Sequence, residues 1–166
     1  MKDIDVKIVE KEGFDVLGYE LRTTTKDDKN LLDIPEFWYK LMDEDKMDEI
    51  PNRVDPDIYF GICADCGPEG SFSYIVAQEV DMISKIPDGM RALALKDSKY
   101  AIFPTKDKTP EIINKTFDYI FEEWLPNSKY NRDFGEDFEL YTRKNKSMSK
   151  SVKIHIPVIE KSRNGK

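Results

Sequence analysis

One acidic side chain lies among aromatic residues in a pattern that could bind a charged ligand. The segment Asp137-Phe-Glu-Leu-Tyr141 has strand-like alternation, and successive side chains of a strand point to opposite faces. Phe138 and Leu140 are therefore assigned to the face packed against the helices, while Glu139 and Tyr141 are expected to face a cleft. A carboxylate among aromatic rings is a suitable receptor for an organic cation. Without a ligand it should stay hydrated or have a raised pKa.

The other residues that could do chemistry favour structural roles. Cys63 and Cys66 form a C-x-x-C pair, but structural zinc needs four ligands and the sequence has no second cysteine pair. The pair also lies at the end of a predicted strand, whereas thioredoxin-type chemistry places its first cysteine at a helix N-terminus. His155 lies on a predicted strand and is interpreted as a surface or structural residue. The sequence contains no nucleotide-binding or hydrolase motif. We expect no metal, no cofactor and no catalytic residue.

Composition limits the class of protein. The 166 residues carry a net charge of −7 and include 2 Trp, 8 Tyr and 9 Phe, which is too aromatic for a disordered chain. The acidic balance argues against direct binding to nucleic acid or to a membrane surface. No apolar run approaches the roughly 18 residues that span a bilayer, and the first residues lack a signal peptide. The sequence therefore predicts a folded cytoplasmic protein.

The elements that must position these residues occur in two similar sets. Each set reads strand, strand, helix, strand, strand, over about residues 4–80 and 90–158. The first helix is predicted to begin near Asp33 and Pro35, and the second at Thr109 and Pro110. The segment 57–61 aligns with 137–141, which indicates an internal duplication. We predict one α+β domain over 1–159, with an antiparallel sheet, two helices and a ligand cleft between the halves. Residues 160–166 are expected to form a loose tail.

Several strings, in this order and spacing, resemble the GyrI-like effector-binding domain. They are Phe14-Asp-Val-Leu-Gly18, Ile34-Pro-Glu-Phe-Trp38, Tyr59-Phe-Gly-Ile-Cys63, Phe72-Ser-Tyr-Ile-Val76, Tyr100-Ala-Ile-Phe103, Glu123-Trp-Leu-Pro-Asn-Ser128, Asp137-Phe-Glu-Leu-Tyr141 and Ile154-His-Ile-Pro157. This domain senses ligands in AraC-type and MerR-type bacterial transcription regulators and also occurs alone, as in integron-cassette proteins. The resemblance implies the duplicated fold and an aromatic cleft for organic, often cationic, molecules. It also implies that Glu139 supplies the negative charge. Because no DNA-binding segment precedes the first strand, a stand-alone effector-binding protein is expected.

The expected ligand-binding residues are aromatic side chains together with Glu139. Tyrosine and tryptophan tolerate a half-polar lining, so they are preferred over the phenylalanines expected in the core. The candidate set is Trp38, Tyr59, Tyr74, Tyr100, Phe103, Trp124, Tyr130, Glu139 and Tyr141.

Two other functions remain open from the sequence. The protein could act through contact with a regulatory protein partner, as gyrase-inhibitory relatives of the domain do. It could also hydrolyse a small electrophile, with Glu139 as general base and Tyr141 or Tyr59 as proton donor. The residue types favour binding of a cationic or amphipathic aromatic ligand over an enzyme.

Overall fold

A computed structural model describes residues 4–162, in which ten strands form one antiparallel sheet. The strands are β1 Lys7–Lys11, β2 Phe14–Thr24, β3 Ile58–Ala64, β4 Ser71–Val80, β5 Arg91–Leu95, β6 Ser98–Pro104, β7 Tyr130–Arg132, β8 Phe138–Lys144, β9 Ser147–Met148 and β10 Lys153–Glu160. The eight strands predicted from sequence are all present, and the short β7 and β9 were not predicted. The α+β class is confirmed.

The order of the strands shows how the two halves combine. The main path runs β1-β6-β10-β8-β3-β4-β2-β5, with β7 beside β10 and β9 beside β8. The first strand of each half pairs with the second strand of the other half, since β1 joins β6 and β5 joins β2. The halves meet where β3 pairs with β8, and there Phe60 lies opposite Leu140. The alignment of 57–61 with 137–141 also matches Phe60 with Leu140. The register of the strands therefore agrees with the predicted duplication.

Two helices pack on the sheet. Helix α1 spans Lys29–Asp43 and α2 spans Pro110–Tyr119, after which the chain continues through a π-helical turn, Ile120–Trp124, into a short α3, Leu125–Asn127. Helix α2 begins as predicted, because the Thr109 side chain accepts a hydrogen bond from the Ile112 amide at 3.4 Å and Pro110 follows. None of the helices within residues 4–162 is long and apolar enough to cross a membrane.

Helix α1 begins one turn before the start predicted at Asp33. The Asp33 carboxylate does not cap the helix; instead it accepts a hydrogen bond from Thr23 at 2.8 Å and pairs with Lys29. Pro35 therefore lies inside the helix, where it removes one backbone donor. A proline that usually marks a first turn misled the sequence interpretation.

The two faces of the sheet carry different cores. Helix residues such as Leu41 and Ile113 pack with Tyr59, Tyr74 and Tyr141 on one face. The other core consists, among the described residues, of strand residues only, including Phe60, Tyr100 and Phe138.

The predicted assignment of Phe138 and Leu140 to the helix-packed face is therefore wrong. Both pack in the strand-only core, and Phe138 stacks on His155 with ring centroids 4.4 Å apart. The helices lie on the face of Glu139 and Tyr141 instead. The alternation of the strand was predicted correctly, but this sheet buries both of its faces, so alternation alone could not show which face holds the helices.

The last described residues are attached through Lys161. Glu160 pairs with Tyr130 in the sheet, and the Lys161 ammonium group donates hydrogen bonds to the carbonyls of Leu125, Pro126 and Ser128 at 2.7–3.2 Å. Residues 163–166 of the predicted tail, and the first three residues, lie outside the described residues.

Candidate functional site

A cavity of about 390 Å³ lies between the two helices and the sheet. Its size is typical of a site for a small organic molecule. It is lined mainly by apolar side chains of α1 and α2, and its floor includes Glu139 and Tyr141 on β8. The lining residues are Asn30, Leu31, Ile34, Pro35, Trp38, Tyr39, Met42, Lys108, Pro110, Ile113, Asn114, Glu139, Tyr141 and Met148.

Glu139 is a buried carboxylate held by two phenol groups. Its side chain is only 5% exposed. Its Oε1 atom accepts a hydrogen bond from the Tyr141 hydroxyl at 2.6 Å and another from the Tyr74 hydroxyl at 2.8 Å. No salt bridge among the described residues includes Glu139. Among residues 4–162 the carboxylate therefore has hydrogen-bond donors but no cationic partner.

The indole of Trp38 extends this network to helix α1. Trp38 Nε1 donates to the Tyr74 hydroxyl at 3.0 Å, and that hydroxyl in turn donates to Glu139. The Trp38 ring also packs on Tyr141 with centroids 4.7 Å apart. One wall of the cavity is therefore an aromatic surface beside the carboxylate.

Burial shifts the pKa values of Glu139, Tyr74 and Tyr141. Removal from water raises the pKa of Glu139, and the Tyr141 and Tyr74 hydrogen bonds oppose this rise only partly. Burial, followed by the charge of Glu139, raises the pKa of Tyr74 and Tyr141 well above the usual value. Both tyrosines therefore remain hydrogen-bond donors at neutral pH. Lys108 is the other charged residue of the lining, and it is exposed.

Of the sequence-predicted residues, Glu139, Tyr141 and Trp38 line the cavity, and Tyr74 lies directly behind Glu139. Tyr59 is close but belongs to a different space: it packs against Trp38 at 6.2 Å between centroids and lines a second cavity of about 200 Å³. Met42 and Met148 line both cavities. The Arg143 guanidinium lies 5.4 Å from the Tyr59 ring centroid.

Three other predicted residues form a separate cluster near the end of α2. Trp124 meets Phe103 edge-to-face at 4.9 Å and stacks on Tyr130 at 6.1 Å between centroids. Phe103 is completely buried. The π-helical turn brings Trp124 over this part of the sheet, and the three rings pack against one another. They share a core with the site but do not line its cavity.

The predicted place of Tyr100 in the cleft is corrected by the structure. Tyr100 packs edge-to-face on Phe138 with centroids 5.3 Å apart, in the strand-only core on the other face of the sheet. Its neighbour Phe103 belongs to the core on the helix face. Because side chains along β6 alternate between the two faces of the sheet, Tyr100 points away from the cavity.

The sequence interpretation missed the apolar part of the lining. Met42 and Ile113 were recognisable as members of amphipathic helical stripes, but a stripe predicts packing and gives no sign that the two helices stand apart over a cavity. Met148 lies on β9, a short strand that was not predicted. No pattern in the sequence indicated its position.

The remaining chemical candidates of the sequence are Cys63 and Cys66. Burial, then the charge of Glu139, raises the pKa of the Cys63 thiol well above its usual value, so the thiol stays protonated. Both cysteines are free. Within residues 4–162 no group of His, Cys, Asp and Glu side chains could hold a metal ion.

The fold and the cavity together define a class: a duplicated α+β domain with a ligand cavity between its helices. The chain belongs to the family of integron-associated effector binding proteins, Cass2, whose family model matches residues 7–158. This is a GyrI-like fold, as the sequence resemblance predicted. Binding of a small-molecule effector is therefore the function class of this chain.

Similar proteins include a regulator and two solved structures. The chain is 28% identical over 161 residues to the transcriptional regulator BrlR of Pseudomonas aeruginosa. The matched region covers 95% of this chain but only 57% of BrlR. The structure of SAV2435 bound to tetraphenylphosphonium matches with a TM-score of 0.74 and 16% identity over 93% and 94% of the two chains. The Vibrio cholerae integron cassette protein VCH_CASS2 matches with a TM-score of 0.65 and 21% identity, over 94% of this chain and 97% of that one. At these identities the two structures show the shared fold.

Proposed function

We propose that this protein binds an organic cation in the cavity between α1 and α2, with Glu139 as the counter-charge. The observation that carries the proposal is a 5% exposed carboxylate that opens on an apolar cavity and has no cationic side chain paired with it among residues 4–162. An uncompensated buried charge is costly. A ligand that brings the opposite charge removes that cost when it binds.

The walls of the cavity favour an organic cation over a metal ion or a small inorganic ion. The lining offers apolar side chains and the faces of Trp38 and Tyr141 beside the carboxylate. Cation–π contacts of a desolvated cation contribute about 0.5–2 kcal/mol each. An aromatic or amphipathic cation can make these contacts and bury its apolar surface at the same time.

The relatives are consistent with this proposal. SAV2435 has been solved with tetraphenylphosphonium, an aromatic cation. BrlR is a transcriptional regulator, which supports a role for this domain in reporting a ligand. That the protein works in the cytoplasm and makes no direct contact with nucleic acid stays a prediction.

The test compares a cation with a neutral molecule of similar shape. Methyltriphenylphosphonium and triphenylphosphine oxide are titrated calorimetrically into the wild type and into Glu139→Gln. The glutamine side chain keeps the shape and can still accept hydrogen bonds from Tyr74 and Tyr141. We expect the wild type to prefer the cation, and the variant to bind the cation about tenfold to hundredfold more weakly, since a charge-assisted contact contributes about 1.5–3 kcal/mol.

Glu36→Gln is the matched control. Glu36 is exposed on α1 and is not part of the cavity lining, so this variant changes the net charge equally without touching the site. Its affinity should equal that of the wild type. Equal cation affinity in Glu139→Gln and the wild type would refute the counter-charge role.

A further inference from the structure

The Tyr74 hydroxyl reaches Glu139 by crossing an intervening strand. Tyr74 lies on β4 and Glu139 on β8, and β3 runs between them. Neighbouring strands are about 4.8 Å apart, so the two side chains start on strands separated by about twice that distance. The hydroxyl nevertheless lies 2.8 Å from Glu139 Oε1. The phenol must therefore lie across the face of β3.

The residue of β3 beneath this crossing is Gly61. Gly61 pairs directly with Glu139 in the sheet. A Cβ atom built on Gly61 would overlap the Tyr74 hydroxyl oxygen, lie 2.7 Å from Tyr74 Cζ and 3.0 Å from Glu139 Oε1. The Tyr74 ring is completely buried, so it could move aside only by displacing the side chains packed around it. Any side chain at this position would occupy the volume through which the phenol passes.

We propose that Gly61 and Tyr74 act together as positioning residues of the carboxylate site. The gap at Gly61 admits the Tyr74 hydroxyl, which holds Glu139 on one side and accepts a hydrogen bond from Trp38 on the other. Helix α1 is thereby connected to the carboxylate through one phenol oxygen. Tyr141 supplies the second donor from within β8 and needs no such gap.

The test follows the protonation of Glu139 in the ligand-free protein. The carboxyl ¹³C resonance of Glu139, assigned by its loss in Glu139→Gln, is titrated in the wild type, Tyr74→Phe and Gly61→Ala. Both variants should shift the midpoint to higher pH, because each removes a donor to the charged form. Tyr100→Phe, which removes a buried hydroxyl on the other face of the sheet, should leave it unchanged. An unchanged midpoint in Tyr74→Phe or in folded Gly61→Ala overturns the proposal.

A double-mutant cycle of unfolding free energies tests separately whether the gap at Gly61 makes room for Tyr74. Gly61→Ala should destabilise the wild type, yet have little effect in a Tyr74→Leu background, because leucine lacks the atoms that the new methyl group would meet. An equal loss of stability in both backgrounds would show that the gap does not serve Tyr74.

The consequence for ligands rests on the proposed cation site. If that site is correct, Tyr74→Phe also moves the pH dependence of methyltriphenylphosphonium affinity to higher pH. The titration and the double-mutant cycle use no ligand. Failure of cation binding therefore contradicts the proposed function alone, whereas an unshifted Glu139 titration contradicts the positioning role alone.

Discussion

At the scale of single residues, the site depends on how a carboxylate is kept in an apolar place. Burial favours the neutral form of Glu139, and the hydroxyls of Tyr74 and Tyr141 favour the charged form. A cation arriving in the cavity favours the charged form further. Binding and ionisation of Glu139 are therefore linked, and the protonation state at a given pH affects the affinity.

This linkage predicts the pH dependence of cation binding. The pKa of Glu139 is raised, so affinity should fall as the pH is lowered through that pKa, because the neutral carboxyl no longer pairs with the ligand. Tyr141→Phe removes the 2.6 Å hydrogen bond to the charged form and should shift the midpoint of this fall to higher pH. The measurement is methyltriphenylphosphonium affinity by calorimetry at a series of pH values.

Glu139→Gln provides the reference for that series, since it removes the titrating group and should bind with little pH dependence over the same range. A Tyr141→Phe profile that coincides with the wild-type profile would show that the hydroxyl does not stabilise the carboxylate.

The sequence predicted part of this residue-scale picture. The alternation of Asp137-Phe-Glu-Leu-Tyr141 placed Glu139 and Tyr141 on one face, and the structure puts both on the cavity wall. Their role in binding stays a prediction. The contribution of Gly61 could not be predicted, because it depends on the tyrosine of one neighbouring strand and the glutamate of the other.

At the scale of elements, periodicity predicted the strands and helices well but not their relative placement. Both helices were predicted from the residues at their starts, which include a proline in each case. The start of α1 was misplaced because Pro35 lies inside this helix, although a proline is normally favoured only in the first turn. The π-helical turn after α2 has no signal in the sequence, and it is this turn that carries Trp124 to Phe103 and Tyr130.

The assignment of faces failed for a physical reason. Phe138 and Leu140 were placed towards the helices, since an apolar strand face usually meets the main core. This sheet instead encloses a second core of strand residues, and the helices cover the face with Glu139. A face that mixes a carboxylate with tyrosines resembles a solvent-facing surface in sequence, although here it borders a buried cavity.

At the scale of the whole molecule, the duplication creates the site by pairing unlike residues at related positions. The segment 57–61 aligns with 137–141, so Tyr59 corresponds to Glu139 and Gly61 to Tyr141. In the sheet Gly61 faces Glu139, and Tyr59 faces Tyr141. The fold is repeated, but the two copies supply different groups, which is how a symmetric frame holds one carboxylate.

The stability of the whole fold should include a contribution from His155. Burial lowers the pKa of His155 to about 4 from 6.5, so the unfolded chain takes up a proton that the native chain excludes. Relative to His155→Phe, which keeps the stacking on Phe138, the wild type should lose about 3 kcal/mol as the pH falls from about 6.5 to about 4. Urea unfolding of both chains over this range measures the difference.

Taking this difference removes the opposing contributions of Asp137 and Glu139, whose pKa values are raised by burial and which are present in both chains. A stability difference that does not change with pH would mean that His155 is protonated in the native state at the same pH as in the unfolded chain.

Proton release on binding shows whether a ligand cation pairs with the Glu139 carboxylate. Methyltriphenylphosphonium is titrated calorimetrically at several pH values in buffers of different ionisation enthalpy. We predict that the wild type releases protons at pH values below the pKa of Glu139, approaching one proton per ligand, and that Glu139→Gln releases none. Cation binding without proton release throughout the acidic range, with the same affinity in both proteins, would mean that the ligand does not pair with Glu139.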